Sequence, residues 1–335
     1  MTSIIVLHPG SVGDTILALP VLAALKAGQH SSLHVLGHPA LVEVLPGRCP
    51  VDAMTSIEGP EFRGLFSLSE MPPAVSKFFQ RFQLIVAWMS DPDGNIKSAL
   101  QTLTGAHVIV RSPRLSEKSA LHATDRFRAT LNDQLPSELL PEAKLTATEN
   151  DRKWGAQWLS AHGINVDAHH LIAVHAGSGS LTKCWASERF SRVLDGLQKN
   201  GIKVVLIEGP ADTVVTQAVS SQISSTVPRL RNVSLVNVVG VLSQCDAFLG
   251  NDSGLTHIAT ALGLPTVAVF GPTDPAIWGL RRKNLVALRA QSGCRCLTQE
   301  TQTDCSDRAC LGTTPEIVLS TLQRLLPSAP VCLAS

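Results

Sequence analysis

The stretch "NDSGLTHIATALGLPTVAVFGPTDPAIWG", residues 251–279, sets polar side chains where a helix begins, beside what reads as a buried strand. Asn251-Asp252-Ser253-Gly254 is a turn-forming run, and the apolar run after it stops at Gly271-Pro272-Thr273. Asp252 and Ser253 are both good caps for a helix over 254–262. Capping takes one such residue, yet Ser253, Gly254, Thr256 and His257 all crowd the first turn. A helix N-terminus has bare N–H groups and a positive dipole end, which suits a diphosphate. Gly254 lets backbone come close to such an anion, and His257 is either an added donor or a packed side chain.

Working outward, the same strand–loop–helix unit recurs. Ile4 to Leu7 is a short aliphatic run, followed by a glycine-punctuated loop and a helical pattern from Thr15. Residues 33–37, 84–88 and 107–110 read as further buried strands. The pattern restarts after "TATENDRKWGAQWLSAHGI" (146–164), a capped helix with a glycine stop, and strands are expected at the starts of "LIAVHAGSGS" (171–180), "KVVLIEGP" (203–210), "DAFLGNDSG" (246–254) and "PTVAVFGPT" (265–273). Such alternation predicts an α/β chain of parallel sheets covered by helices on both faces. A length of 335 residues exceeds what one core usually organises, so two doubly wound domains are expected, 1–165 and 166–335.

Composition narrows the function. A net charge of +1 argues against a general nucleic-acid binder, and the absence of Tyr weakens any base-stacking platform. No apolar run reaches the length that spans a bilayer. The N-terminal apolar run has no basic flank and is broken by Pro9, Gly10, Gly13 and Asp14, so it does not read as a signal peptide, and a cytoplasmic protein is expected. The eight Cys are then thiols or metal ligands rather than disulfides.

Ligands of open parallel sheets bind beyond the carboxyl ends of the strands. Besides 251–257, three loops are expected there. "HPGSVGDT" (8–15) has G-x-x-G spacing, which is neither a dinucleotide fingerprint nor a Walker loop. Its Asp14 has two readings, a helix cap or a general base facing a cleft. The small residues of "HAGSGSLTKCW" (175–185) suit an anion nest with the Ser178 or Ser180 hydroxyl available, and Lys183 beyond it is able to place a point charge on a phosphate or to be a solvated loop lysine. In "EGPADT" (208–213), Glu208 or Asp212 offers a carboxylate to ribose hydroxyls, or solvates the loop.

These residues together resemble a family. The 251–279 stretch is similar to the signature of the bacterial heptosyltransferases, glycosyltransferase family 9: an Asp-Ser/Thr-Gly turn, a His on the next helix, then Phe-Gly-Pro-Thr-Asp-Pro. "LTKCWASERF" resembles the family's Lys-x-Trp segment, and "SVGDTILALPVLAALK" its N-terminal Gly-Asp loop and helix. The chain departs from the pattern at His8, where the family usually has Arg, and at Ala186, where it has Pro. Residues 40–145 match only loosely.

The resemblance implies the GT-B arrangement, two Rossmann-like domains facing a central cleft. It implies an N-terminal domain for the acceptor and a C-terminal domain for a nucleotide-sugar donor, ADP-heptose. It implies inverting transfer to the inner core of lipopolysaccharide. Asp14 and Lys183 are then the catalytic residues. Ser178, Gly179, Lys183, Glu208, Asp212, Asp252, Ser253, Gly254, Leu255 and His257 would bind the donor, and His8, Ser11, Gly13 and Asp14 the acceptor. No cofactor and no catalytic metal are expected, since no paired acidic motif for a divalent cation is evident. The expected partners are the nucleotide sugar and an anionic glycolipid, with peripheral contact at the cytoplasmic face of the inner membrane. "RSPRLSEK" (111–118) with Arg126 and Arg128 is either a surface for that glycolipid or a solvated basic face.

Two alternatives share these residues: a sugar-nucleotide epimerase of the same fold, and a silent nucleotide-sugar-binding subunit. Cys294, Cys296, Cys305 and Cys310 form C-x-C-x8-C-x4-C, which is not zinc-ribbon spacing; a structural tetrathiolate site, free thiols and adventitious disulfides are all open readings.

Overall fold

The computed structural model describes residues 2–29, 32–67, 71–114, 120–131, 134–135, 139–290, 305 and 308–326. It separates into two compact units, Met1–Thr146 and Ala147–Ser335.

The first unit is built on five parallel strands: β1 (Ser3–His8), β2 (Ser32–Gly37), β3 (Ala53–Ser56), β4 (Leu84–Ala87) and β5 (His107–Val110). Their order is β3-β2-β1-β4-β5. The chain reverses direction of travel between β1 and β4, so the loops after those strands flank a switch point. Helices α1 (Val12–Gln29), α2 (Arg63–Ser67), α3 (Pro73–Phe79), α4 (Asn95–Leu103) and α5 (Ala123–Ala129) connect or cover the strands. Ile4 to Leu7 are wholly buried, as a central strand covered on both faces requires.

The second unit begins with α6 (Glu149–Ala161) and continues through β6 (Leu171–His175), α7 (Ser187–Lys199), β7 (Lys203–Glu208), α8 (Thr213–Ser220), β8 (Arg229–Arg231), α9 (Leu235–Leu242), β9 (Ala247–Asn251), α10 (Gly254–Ala261), β10 (Thr266–Val269), α11 (Pro275–Trp278), β11 (Leu285–Leu288) and α12 (Pro315–Leu325). The sheet order is β11-β10-β9-β6-β7-β8, all parallel. Here the switch point lies between β6 and β9. Both units thus have the parallel, doubly wound form expected from the alternation of apolar runs.

The boundary falls at 146/147, not at 165/166 as expected from the sequence. The reason is α6. Its start is fixed by a reciprocal capping box, Thr148 with Asp151, and the chain leaves it through Gly163 in the left-handed region. Its inner face then packs on α9 so closely that a Cβ on Gly155 would sit 2.2 Å from the Gly240 carbonyl oxygen. The helix therefore belongs to the second unit.

Candidate active site

The second unit's switch point brings together the loop after β6, the start of α10 and the loop after β10. Asn251, the last residue of β9, is fully buried and ties the first two. Its side-chain amide donates to the carbonyls of Ala176 (2.7 Å) and Gly177 (3.2 Å), and its Oδ1 accepts from Trp185 N (2.9 Å). Trp185 is anchored in turn by Nε1 to the Thr313 carbonyl and by edge contact with Phe190.

Asp252 and Ser253 prove to have separate tasks. Ser253 is the N-cap of α10, its Oγ accepting from Thr256 N at 3.4 Å. Asp252 does not cap. Its Oδ2 accepts from Lys183 Nζ at 2.8 Å and from Thr273 Oγ1 at 2.7 Å, its Oδ1 faces His257 Nε2 at 3.6 Å, and its carbonyl accepts from Ser178 Oγ at 2.8 Å. Burial by itself would raise the Asp252 carboxyl; His257 and Lys183 outweigh it and hold the group far below the usual carboxylate range. Asp252 is therefore an ionised anchor for the Lys183 ammonium, which keeps further N–H groups for a ligand. His257 Nδ1 is buried and has no hydrogen-bond partner among the described residues. Gly254 and Leu255 follow at the first turn, where helix N–H groups lack acceptors within the helix.

The neighbouring glycines divide differently from the expectation. A side chain on Gly179 would meet open space, whereas a Cβ on Gly177 would lie 1.9 Å from Asp212 Oδ1. Gly177 is the position at which the loop needs glycine. Asp212 itself, expected as a ribose contact, is turned inward. It is buried, and its Oδ2 accepts from His175 Nε2 (2.9 Å) and Gly209 N (3.0 Å). Burial opposes its ionisation, but His175 and the Gly209 N–H together lower its pKa. Glu208, at the end of β7, is the carboxylate that faces a cavity. That cavity, about 440 Å³, is lined by Glu208, Thr213, Gln217, Ser220, Ser221, Arg229 and Arg231. Arg229 Nη1 stands 3.8 Å from Glu208 Oε2, too far for a hydrogen bond.

In the first unit, Ser11 and Asp14 form the start of α1. Asp14 is not the N-cap. Ser11 Oγ accepts from Asp14 N (3.3 Å), while Asp14 Oδ2 accepts from Ser11 N (3.0 Å) and from Ser11 Oγ (2.9 Å). This is a capping box with Asp14 at the third helical position, and it holds the carboxylate in one orientation at a helix N-terminus. Gly13 is buried between them.

His8, expected among the acceptor contacts, is enclosed instead. It is 3% exposed, its ring meets Trp88 and Phe127 edge-on at 5.4 and 5.2 Å, and neither ring nitrogen has a hydrogen-bond partner among the described residues. Burial lowers its pKa to about 4 against an opposing pull from Asp14, with Arg114 adding to the fall. The imidazole is thus neutral near pH 7. Gly10 lies directly over it: a Cβ there would sit 2.4 Å from His8 Cε1 and 3.0 Å from Asp14 Cβ.

The glycosyltransferase family 9 (heptosyltransferase) profile matches residues 103–306, more than half of the chain. The chain belongs to glycosyltransferase family 9. A lipopolysaccharide heptosyltransferase 3 of Escherichia coli K12 is 25% identical over 172 residues, 49% of this chain and 48% of that relative, so the chain matches about half of that relative's length. Among solved structures, the family 9 glycosyltransferase from Veillonella parvula superposes with a TM-score of 0.78 at 22% identity over 97% of both chains. The E. coli heptosyltransferase WaaC with ADP gives 0.66 at 18% identity, covering 97% of this chain and 100% of that one. These likenesses place both units in the GT-B type of fold.

Asn251, Thr273 and His175 are not among the site candidates that the sequence motifs offer. Asn251 read as a turn former and Thr273 as part of a rigid loop; only the sheet order brings them against residues 176–185 and 252. Of the four clustered Cys, Cys294 and Cys296 lie outside the described residues. Cys305 is partly buried, and Cys310 packs in the apolar core of the second unit. Among the described residues no group of three or more His, Cys, Asp or Glu is placed to hold a metal. No described helix is long and apolar enough to cross a membrane. Lys118 and part of the basic stretch 111–118 are also outside the described residues.

Proposed function

We propose that the chain transfers a heptose from ADP-heptose to the inner core of lipopolysaccharide, inverting the anomeric centre and using no metal ion. The observation that carries this reading is the Lys183 ammonium held by buried Asp252 beside the open N-terminus of α10. A departing nucleoside diphosphate gathers negative charge as the glycosidic bond breaks. Fixed N–H groups, a helix dipole and an ammonium ion stabilise that charge more in the transition state than in the bound donor. Ser178, Gly179, Ser253, Gly254, Leu255 and His257 would complete the donor cradle, with Glu208 accepting from ribose hydroxyls. A relative named for lipopolysaccharide heptosyl transfer and a fold neighbour solved with ADP support this donor class.

The acceptor hydroxyl must lose a proton as it attacks. We assign that proton to Asp14, whose Oδ2 is engaged by Ser11, leaving Oδ1 for the hydroxyl. The acceptor is an anionic glycolipid, which would bring the protein to the cytoplasmic face of the inner membrane. The test is a thermal-shift panel of ADP, UDP, GDP and CDP, followed by transfer from ADP-heptose to a heptose-free core acceptor. Stabilisation by ADP together with transfer is the expected outcome. Stabilisation by another nucleotide alone, or ADP binding without transfer or donor hydrolysis, would overturn the reading.

A further inference from the structure

The cavity beside Glu208 lies within the second unit, where α8 runs past the outermost strand, β8. Its lining side chains are all polar or charged, so it suits a ligand that both gives and accepts hydrogen bonds and excludes an apolar one. The Glu208 side chain is only 8% exposed. Its Oε1 accepts from Thr213 Oγ1 at 3.3 Å. Its Oε2 is enclosed, has no hydrogen-bond partner among the described residues and stands 3.8 Å from Arg229 Nη1.

We propose that Glu208 and Arg229 clamp the vicinal diol of a ribose, which makes this cavity the nucleoside end of the donor site and Arg229 a determinant of ribose against deoxyribose. This rests on the donor site proposed above.

Arg229 faces Glu208 by charge alone. At 3.8 Å it commits no N–H to the carboxylate, and the guanidinium, one-third exposed, keeps its donors for a ligand. Oε1 has Thr213 as its protein donor and a second lone pair to offer. A group that can only accept and a group that can only donate thus stand side by side in one cavity. A ligand that satisfies both carries a donor and an acceptor on neighbouring atoms. A vicinal diol does so: one hydroxyl gives its proton to Oε1, and the oxygen of the other accepts from the guanidinium. An ionised phosphate fits worse, because it has no proton for Glu208 and the charges of Glu208 and Arg229 offset each other. The Ser220 and Ser221 hydroxyls add no donors for an anion either. They give their protons to the Thr216 and Ala218 carbonyls, at 2.9 and 3.0 Å, and turn lone pairs to the cavity. The place suits a nucleoside whose diphosphate lies at the start of α10. β7 neighbours β6 in the sheet, and Asp212 Oδ2 accepts from both Gly209 N and His175 Nε2, fastening the loop after Glu208 to the end of β6.

ADP, 2′-deoxy-ADP and 3′-deoxy-ADP are titrated calorimetrically into wild type, Arg229→Met and the Glu208→Ala/Arg229→Met double variant, with melting temperatures alongside. Met keeps an apolar stem at position 229 and removes every N–H of the guanidinium. Wild type should bind each deoxynucleotide roughly 10-fold more weakly than ADP, as loss of a hydrogen bond to a charged group does. Arg229→Met should erase the penalty for at least one of the two hydroxyls. The double variant removes both partners and strands neither charge, so it should bind the three nucleotides alike. Equal binding of all three by wild type, or penalties unchanged in Arg229→Met, would overturn the proposal. If Arg229→Met does not fold, the double variant decides: equal affinities support the proposal, and a retained preference for ADP overturns it. A wild type that binds no ADP overturns the donor reading itself and this inference with it, whereas ADP binding that is indifferent to the hydroxyls overturns the inference alone.

Discussion

Lys183 Nζ lies 2.8 Å from Asp252 Oδ2, although the two residues are 69 positions apart. The lysine is about one-third exposed and the aspartate almost fully buried, so the ammonium bridges the interior and the mouth of α10. Lys183→Ala should raise the dissociation constant for ADP and lower turnover by a larger factor, roughly 100-fold, because the charge it meets grows in the transition state. Calorimetric ADP binding and steady-state kinetics on the same preparation check this. Matching affinity and matching turnover would remove Lys183 from the site.

Asp14 is held by a capping box rather than acting as the cap. Asn in its place retains an oxygen for the Ser11 N–H and loses the proton acceptor. Asp14→Asn should therefore melt close to wild type and bind ADP normally, with transfer reduced roughly 10²–10⁴-fold. A variant that melts early yet transfers normally per folded molecule would leave Asp14 with a helix-starting role only.

Acid should weaken the first unit before its carboxylates titrate. His8 has a pKa of about 4 when folded against an ordinary value of 6.5, so between those values the unfolded chain binds a proton that the folded chain does not. Its contribution is complete above about pH 6.5 and falls as pH drops toward 4, by about 1.4 kcal/mol per pH unit within that window. His8→Phe, filling the space between Trp88 and Phe127, should flatten this part of the profile in urea titrations at pH 7.5, 6.0 and 5.0. An unaltered slope would mean that His8 is solvated in the folded protein. The depressed carboxyls of Asp212 and Asp252 act in a lower range: their contribution is present above the ordinary carboxylate pKa and is lost as pH falls further.

Gly155→Ala places a methyl group against the Gly240 carbonyl, which is backbone and cannot swing aside. The variant should lose about 1–3 kcal/mol of stability in the second unit, despite alanine's better helix propensity. A melting temperature at or above that of wild type would show that α6 is free to shift off α9.

What was legible followed from burial. β1, β6, β7, β9 and β10 are aliphatic runs closed by glycine, proline or polar turns, and their inward faces leave little choice of structure. β3 and β8 escaped because short edge strands such as Arg229–Arg231 need not be apolar, and β11 because an apolar run of four residues, Leu285–Leu288, does not by itself distinguish a strand from a helix segment. Ser253 and Asp252 were visible as a pair of polar residues at a helix start, but their division of labour was not: which one caps depends on where Lys183 and Thr273 stand. Asp212 and Glu208 look equivalent in "EGPADT"; His175 draws one inward, and the cavity at the β7–β8 edge receives the other. His8 stood in a loop-like context, and nothing local announced that Trp88 and Phe127 would enclose it.

Asn251 joins the loop after β6 to the start of α10 through protein groups alone. A cradle braced in this way loses little further freedom when it is filled, so the entropy of ordering that a loose loop surrenders is small here. In the proposed donor site, interaction energy is then left over for discrimination, and a donor whose groups fit the braced spacing poorly cannot recruit loop movement to compensate. If the proposed donor site holds, preorganisation of this kind makes Asn251, which need touch no ligand, a determinant of how strictly that site accepts its donor.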